Sequence, residues 1–236
     1  MNILGIIPAR GGSKGIPKKN IYPILGKPLI SYTIATSLEL LKSNIIKRCI
    51  VSTDNFEIAK IAKSFNADVP FMRPADIATD RCKSITYINH ALDILDPNGD
   101  LYDAVLILQP TSPLRVTNSI IKGIHRFIKG DRNSLISCYK EDYINELVMY
   151  KKMDDGTLIA CNKYHNKGVR RQEYGPVMVR NGCVYLTKIP YMKKTGQLIC
   201  DNPILLEMDK TSSIDVDTSE DLLFLEAILS YENRNS

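Results

Sequence analysis

Apolar and polar positions follow two different rhythms along this chain, and the change of rhythm divides it. Up to residue 130, short apolar runs trade places with stretches spaced for one face of a helix. Residues 3–7 read as a buried strand, 28–42 as a helix with Pro28 at its first position, 49–52 as a second strand and 57–65 as a second helix. A helix over 84–95, a central buried strand over 104–108 and a helix over 119–128, capped by Thr117 or Asn118, continue the alternation. Such an order predicts βα units and an α/β fold with a Rossmann-like, mainly parallel sheet.

From 135 to 189 the chain turns to short alternating stretches broken by Asp-Gly, Asn-Lys-Gly and Asn-Gly, signals that favour hairpins over βα units. We read a single domain over 1–236 with a β-rich insertion at about 135–190. Residues 204–208 resemble a strand returning to the sheet. Thr218-Ser219-Glu220-Asp221 then reads as a capping box opening a helix to about residue 231.

Composition changes this picture little. A chain of 236 residues, 44% hydrophobic and 24% charged, is that of an ordinary folded α/β protein. The six cysteines form no CxxC pair, and the opening MNILGIIPAR lacks a basic start and is broken by Gly5 and Pro8. No secretory leader is expected, so the cysteines are read as reduced thiols in a core and the protein as cytoplasmic. No run approaches the roughly 18 apolar residues of a membrane span, so no membrane partner is expected. His90, His125 and His165 are too scattered for a zinc site, which leaves oxygen ligands for any metal. A net charge of +5 suits an anionic partner but is too mild to argue for nucleic acid, and none is expected.

The location of that charge is more informative than its total. After the first strand comes PARGGSKGIPKKN, which holds Gly11, Gly12 and Gly15, the cations Arg10, Lys14, Lys18 and Lys19, and no acid. Backbone that can approach an anion closely, with charge to neutralise it, suits a polyphosphate. The segment matches neither a Walker A loop nor GxGxxG, and a solvated basic loop is the alternative. Its place at the carboxyl end of a first parallel strand favours the ligand-binding reading. In Ser213-Ile214-Asp215-Val216-Asp217-Thr218, alternation puts Asp215 and Asp217 on one face, as two carboxylates for Mg²⁺ (or Mn²⁺) or simply as helix caps. With the glycine loop in the same chain, metal-assisted phosphate chemistry is the better explanation.

Two more segments leave strands and become polar. In LQPTSPLR at 108–115, Gln109, Thr111 and Ser112 offer neutral hydrogen-bonding groups of the kind that read sugar hydroxyls, unless they only build a turn. In Arg73-Pro74-Ala75-Asp76, followed by Ser84, the arginine can donate to a base edge or make a surface ion pair.

Taken in order, ARGGSKGIPKKN, VSTD at 51–54, RPADIATD at 73–80, LQPTSPLR, RNGCVYL at 180–186 and SIDVDTSEDL at 213–222 resemble the CMP-sialic acid synthetases, or acylneuraminate cytidylyltransferases. The stretch 143–168 resembles that family only loosely. The resemblance implies that Arg10, Gly11, Gly12, Ser13, Lys14, Lys19 and Asn20 bind CTP, with Lys19 facing the leaving pyrophosphate. It also implies that Arg73 and Ser84 read cytosine and that Gln109, Thr111, Ser112, Arg171 and Tyr185 face the sugar acid. Asp215 and Asp217 would then hold the metal. A homodimer, built through the β-rich insertion, follows from the same resemblance.

Overall fold

The computed structural model describes residues 1–168 and 175–235. The first strand, β1 (Ile3–Pro8), is fully buried up to its last residue, and its neighbours β4 (Arg48–Ser52) and β5 (Ala104–Leu108) flank it in parallel. Runs of Ile, Leu and Val suit them, because parallel strands covered on both faces have no polar side to show. A short 3-10 turn (Lys19–Ile21) and a two-residue ribbon, β2 (Pro23–Ile24) with β3 (Lys27–Pro28), lead into α1 (Leu29–Lys42). Three further helices follow as the rhythm predicts: α2 (Phe56–Ser64), α3 (Ser84–Leu95) and α4 (Thr117–Lys129).

Side-chain alternation along β1 sorts the core into two layers. Ile3 and Ile7 pack with Ile30 and Ile34 of α1, Ile58 of α2 and Ile124 and Phe127 of α4. Leu4 and Ile6 pack on the other face with Ile88 and Leu92 of α3. Helices therefore cover both faces of the sheet, each fully buried Ile or Leu contributing about 1.5–3 kcal/mol of apolar transfer.

The expected mainly parallel α/β sheet is present, with one difference in the region read as an insertion. Its two ends, β6 (Ser134–Glu141) and β9 (Val177–Lys188), belong to the six-stranded central sheet, ordered β10-β6-β9-β5-β1-β4. β9 runs antiparallel to both β5 and β6, and β10 (Ile204–Met208) lies parallel to β6 at the edge. Among the described residues, only the hairpin of β7 (Tyr150–Lys152) and β8 (Leu158–Ala160) stands outside that sheet within this stretch. Period-2 alternation cannot tell a hairpin from a strand that joins a distant sheet.

The start of α4 also differs from expectation. Its N-cap is Val116, and neither Thr117 nor Asn118 caps it through a side chain; the Val116 carbonyl accepts the Ser119 and Ile120 amides instead. The capping box does form: the Thr218 hydroxyl accepts from the Asp221 amide at 3.4 Å, and the Asp221 carboxylate accepts from the Thr218 amide at 2.8 Å, opening α6 (Ser219–Asn235). A short α5 (Ile189–Thr195) continues β9. All six cysteines are free, and four are buried, but Cys161 is exposed and Cys82 only half-buried, so not every thiol lies in the core. No helix among the described residues is long and apolar enough to cross a membrane.

Candidate active site

The polar segments meet where the strands end. The glycine loop leaves β1 and the 109–115 turn leaves β5, so both reach the same carboxyl edge of the sheet, where open α/β sheets bind ligands. A cavity of about 480 Å³ opens there. Arg10, Ser13, Lys14, Lys19 and Asn20 line it on the loop side, Arg73 and Ser84 on a second side, and Gln109 and Thr111 on a third, with Asp217 completing the ring.

The loop is held from within. Asn20 is buried and donates through Nδ2 to the Arg10 carbonyl at 2.9 Å, closing the loop on itself. Ile16 tucks into a small apolar cluster with Val216 and with Leu222 and Leu225 of α6. Val216 is buried between Asp215 and Asp217, so the apolar cluster seats the loop against the carboxylate segment and the acids turn away from it. Gly15 completes the contact: a Cβ there would lie 2.5 Å from the Asp217 carbonyl oxygen, so only glycine fits.

Each cation of the loop has an acidic partner. Lys19 Nζ donates to Asp217 Oδ1 at 2.7 Å and to the Val216 carbonyl at 2.8 Å. Arg10 and Lys14 converge on Asp80, whose carboxyl they hold below the usual range, Lys14 contributing the larger share. Lys18 pairs with Glu57 at 2.7 Å, on the surface. Asp80 lies in RPADIATD and lines the cavity, yet sequence reasoning did not single it out. An acid in a loop remote in sequence from the cations carries no local signal.

Arg73 arrives alongside β4, its amide donating to the Thr53 carbonyl at 2.7 Å. Nε and Nη2 donate to the Ser52 hydroxyl and carbonyl at 3.0 and 2.6 Å, and the guanidinium lies 4.6 Å over the Tyr87 ring. Burial lowers its pKa, opposed by charges including Asp54. The surface ion pair considered for this residue is absent among the described residues. Nη1 makes no hydrogen bond among them, so the residue is oriented with a donor to spare.

Asp215 sits beside the cavity rather than in its lining. The residue as a whole is exposed, yet partial desolvation of its carboxyl raises it above the usual range, with Asp217 pushing the same way and the Thr111 hydroxyl and Lys19 opposing. Like charges on the two carboxylates disfavour full ionisation of both. Tyr185 on β9 is near it: a Cβ at Gly182 would stand 3.9 Å from the Tyr185 hydroxyl and 4.0 Å from Asp215 Oδ2. The Arg180 guanidinium lies 6.0 Å from the Tyr185 ring centre.

Three of the expected residues, Gly11, Gly12 and Ser112, do not line the cavity. Ser112 is fully buried beside Cys183 and does not line the cavity, because the turn after β5 points it into the core. Gly11 gives its amide to Asp54 at 2.8 Å and abuts Asn55, so that donor is already used within the fold. Gly12 is exposed and lies outside the cavity lining. Arg171, expected to face the sugar acid, lies outside the described residues.

A basic glycine loop facing a carboxylate pair across the carboxyl edge of a mainly parallel sheet makes this a nucleotidyltransferase. The chain belongs to the cytidylyltransferase family, whose model matches residues 4–148. It is 31% identical to the CMP-N,N'-diacetyllegionaminic acid synthase of Legionella pneumophila over 97% of both chains. It is 29% identical to the pseudaminic acid cytidylyltransferase of Campylobacter jejuni, over 95% of this chain and 94% of that one. Identity to the N-acylneuraminate cytidylyltransferase of Escherichia coli is 30% over 98% of this chain, which spans about half (53%) of that longer protein. Among solved structures, CMP:2-keto-3-deoxy-manno-octonic acid synthetase complexed with CTP superposes with a TM-score of 0.73 at 16% identity, covering 98% of this chain and 100% of that one, a likeness of fold.

Proposed function

We propose that this protein transfers CMP from CTP to the anomeric hydroxyl of a nonulosonic, sialic-acid-like 2-keto-3-deoxy sugar acid, releasing pyrophosphate. The observation that carries the reading is the convergence in one cavity of Arg10, Lys14 and Lys19 of the glycine loop, Arg73, the Gln109–Thr111 turn and Asp217. Relatives named for three different nonulosonic acids match at nearly equal identity, so the reading stops at that class.

In this mechanism the sugar oxygen forms a bond to the α-phosphorus as the bond to the bridging oxygen of the pyrophosphate breaks. Positioning and charge neutralisation do most of the work in such a transfer. Arg10, Lys14 and Lys19 exchange their acidic partners for phosphate oxygens, and Lys19 meets the charge developing on the leaving group. Arg73 Nη1 donates to the acceptors on the cytosine edge, with Ser84 beside it. Gln109 and Thr111 bind the sugar, and Asp215, nearest Tyr185, takes the proton of the attacking hydroxyl.

Asp215 and Asp217 fit Mg²⁺ (or Mn²⁺). They are two close carboxylates whose mutual repulsion a hard cation relieves, and such a cation completes its shell with phosphate oxygens and water. The ion would neutralise triphosphate charge there. No group of three or more His, Cys, Asp or Glu side chains placed to hold a metal ion occurs among the described residues.

We assign a homodimer to the segment between β6 and β9, where Tyr143, Ile144, Val148, Met149, Leu158 and Ile159 are exposed, and a cytoplasmic location to an enzyme that consumes CTP. Sedimentation of the purified protein tests the first. Pyrophosphate release tests the function, with each of the four nucleoside triphosphates against N-acetylneuraminic, legionaminic, pseudaminic and KDO acids. Turnover with CTP and a nonulosonic acid is expected. Turnover with KDO alone, or none with CTP, overturns the reading.

A further inference from the structure

Arg115 ends the polar motif after β5, but it lines no part of the cavity. Only 6% of it is exposed, and among the described residues it forms no ion pair. A guanidinium in that position is costly, because few of its donors can reach water and no carboxylate pairs with it directly. Burial pulls its pKa down to about 10, opposed by Cys183, Asp215 and Cys49, so it remains charged at neutral pH. Such a group persists only where its hydrogen bonds do something that a Leu or Met could not.

Those bonds converge on one turn. Nη1 donates to the Thr33 hydroxyl of α1 at 2.8 Å. Nη2 donates to the Gln109 carbonyl and, at 3.4 Å, to the Cys183 carbonyl of β9. The Thr33 hydroxyl lies 3.4 Å from the same Gln109 carbonyl, and the Gln109 amide donates to the Cys183 carbonyl at 3.3 Å. Helix, turn and antiparallel strand are thus fastened at one point under the cavity floor. Two residues on, the Thr111 carbonyl accepts the Val216 amide at 2.8 Å, and the Thr111 hydroxyl favours the charged form of the Asp215 carboxyl. No group on the glycine loop or around Arg73 bonds Arg115 itself; the loop meets this network only at the 215–217 segment, through Lys19 and Gly15.

We propose that Arg115 is a positioning residue that sets the sugar-facing turn against the carboxylate pair: by fixing the Gln109 carbonyl between α1 and β9 it places Thr111, and through Thr111 the 215–217 segment. The proposal rests on the reading of the cavity as a CTP-dependent transferase site. A fault in it displaces the attacking side of the reaction first and reaches the nucleotide side only through the contacts of Lys19 and Gly15 with the 215–217 segment, and a displacement of the order of 1 Å costs about a hundredfold in rate. Lysine keeps the charge but replaces the planar fork with a point donor, so it can serve one acceptor at a time.

The experiment compares Arg115→Met, Arg115→Lys and Thr33→Val with the wild type, measuring kcat, KM for CTP and for the sugar acid, and the shift in Tm produced by CTP alone. Arg115→Met is expected to lose about tenfold to a hundredfold in kcat while its KM for CTP and its CTP-induced Tm shift stay within about twofold. Arg115→Lys should recover part of the loss. Thr33→Val, which keeps the shape and deletes one acceptor, should lose a few-fold in kcat, and it carries the decision if Arg115→Met does not fold. Unchanged kcat in a folded variant, or kcat and CTP binding falling together, overturns the proposal. If the wild type shows no CTP-dependent shift, the functional reading itself has failed.

Discussion

At the scale of single residues, every cation of the glycine loop is engaged by an acid, and the strength of each engagement sets what its removal does. Lys19 is largely shielded and shared between Asp217 and the Val216 carbonyl, so it is preorganised rather than searching. Lys19→Ala is expected to lower kcat by about a hundredfold or more, as loss of a fixed charge facing a developing anion does. A rise in KM for CTP with kcat unchanged would make it a binding residue only. Asp80 is different. It is a third exposed and holds Arg10 and Lys14 where the phosphates should go, so it competes with the nucleotide for both. Exposed ion pairs are weak, and Asp80→Asn should therefore tighten CTP binding only a few-fold. Calorimetry reads this directly, and weaker binding by the variant would mean that Asp80 stays to help hold the nucleotide.

At the scale of elements, the site depends on two segments far apart in sequence meeting without a gap. The loop after β1 and the segment before α6 touch through Ile16 on Val216 and through Gly15 on the Asp217 backbone. A methyl group at position 15 meets a backbone carbonyl that cannot rotate away, so one segment must move. Gly15→Ala should cut kcat by at least about tenfold, with a smaller effect on Tm than on rate, because it separates Lys19 from the carboxylates while the sheet stays intact. Wild-type turnover in this variant would show that the contact is incidental. The capping box of Thr218 and Asp221 anchors the other side, starting α6 directly after Asp217. Antiparallel β9 between β5 and β6 brings Tyr185 within reach of Asp215, which no parallel arrangement of the first three strands provides.

At the scale of the whole molecule, the fold is held by carboxylates as well as by its two apolar layers. Asp96 is buried; burial by itself raises its carboxyl, but the amides of Leu101, Asp100, Tyr102 and Gly99 outweigh that and hold it below the usual range. Asp209 is held low by the Ser212 hydroxyl and amide. A folded-state value below the unfolded one means that the unfolded chain binds more protons in that window. The stability from these groups is then complete above about pH 4 and lost as pH falls through the folded values. Thermal melts from pH 7 to 3 should show Tm falling only at the acid end, and Asp96→Asn should flatten that fall. An acid slope identical to wild type would assign the loss to other groups.

The sequence by itself determined the elements and the chemistry of the site. Strands and helices up to residue 130 are legible because burial on both faces of a parallel sheet demands unbroken apolar runs, and each helix must present one apolar side to it. The glycine loop, the two aspartates and the 109–115 turn stand out because residue types suited to phosphate and metal chemistry lie close together in the chain. Only the tertiary structure decided which of those residues face the cavity. Ser112 and Thr111 are neighbours of similar polarity, and the direction of one turn sends the first into the core and the second to the ligand. Asp80, Arg115 and Tyr87 carry no local signal, since their partners lie on other elements, and β6 and β9 joined the central sheet because period-2 alternation records that a strand has two faces but not which strand lies beside it.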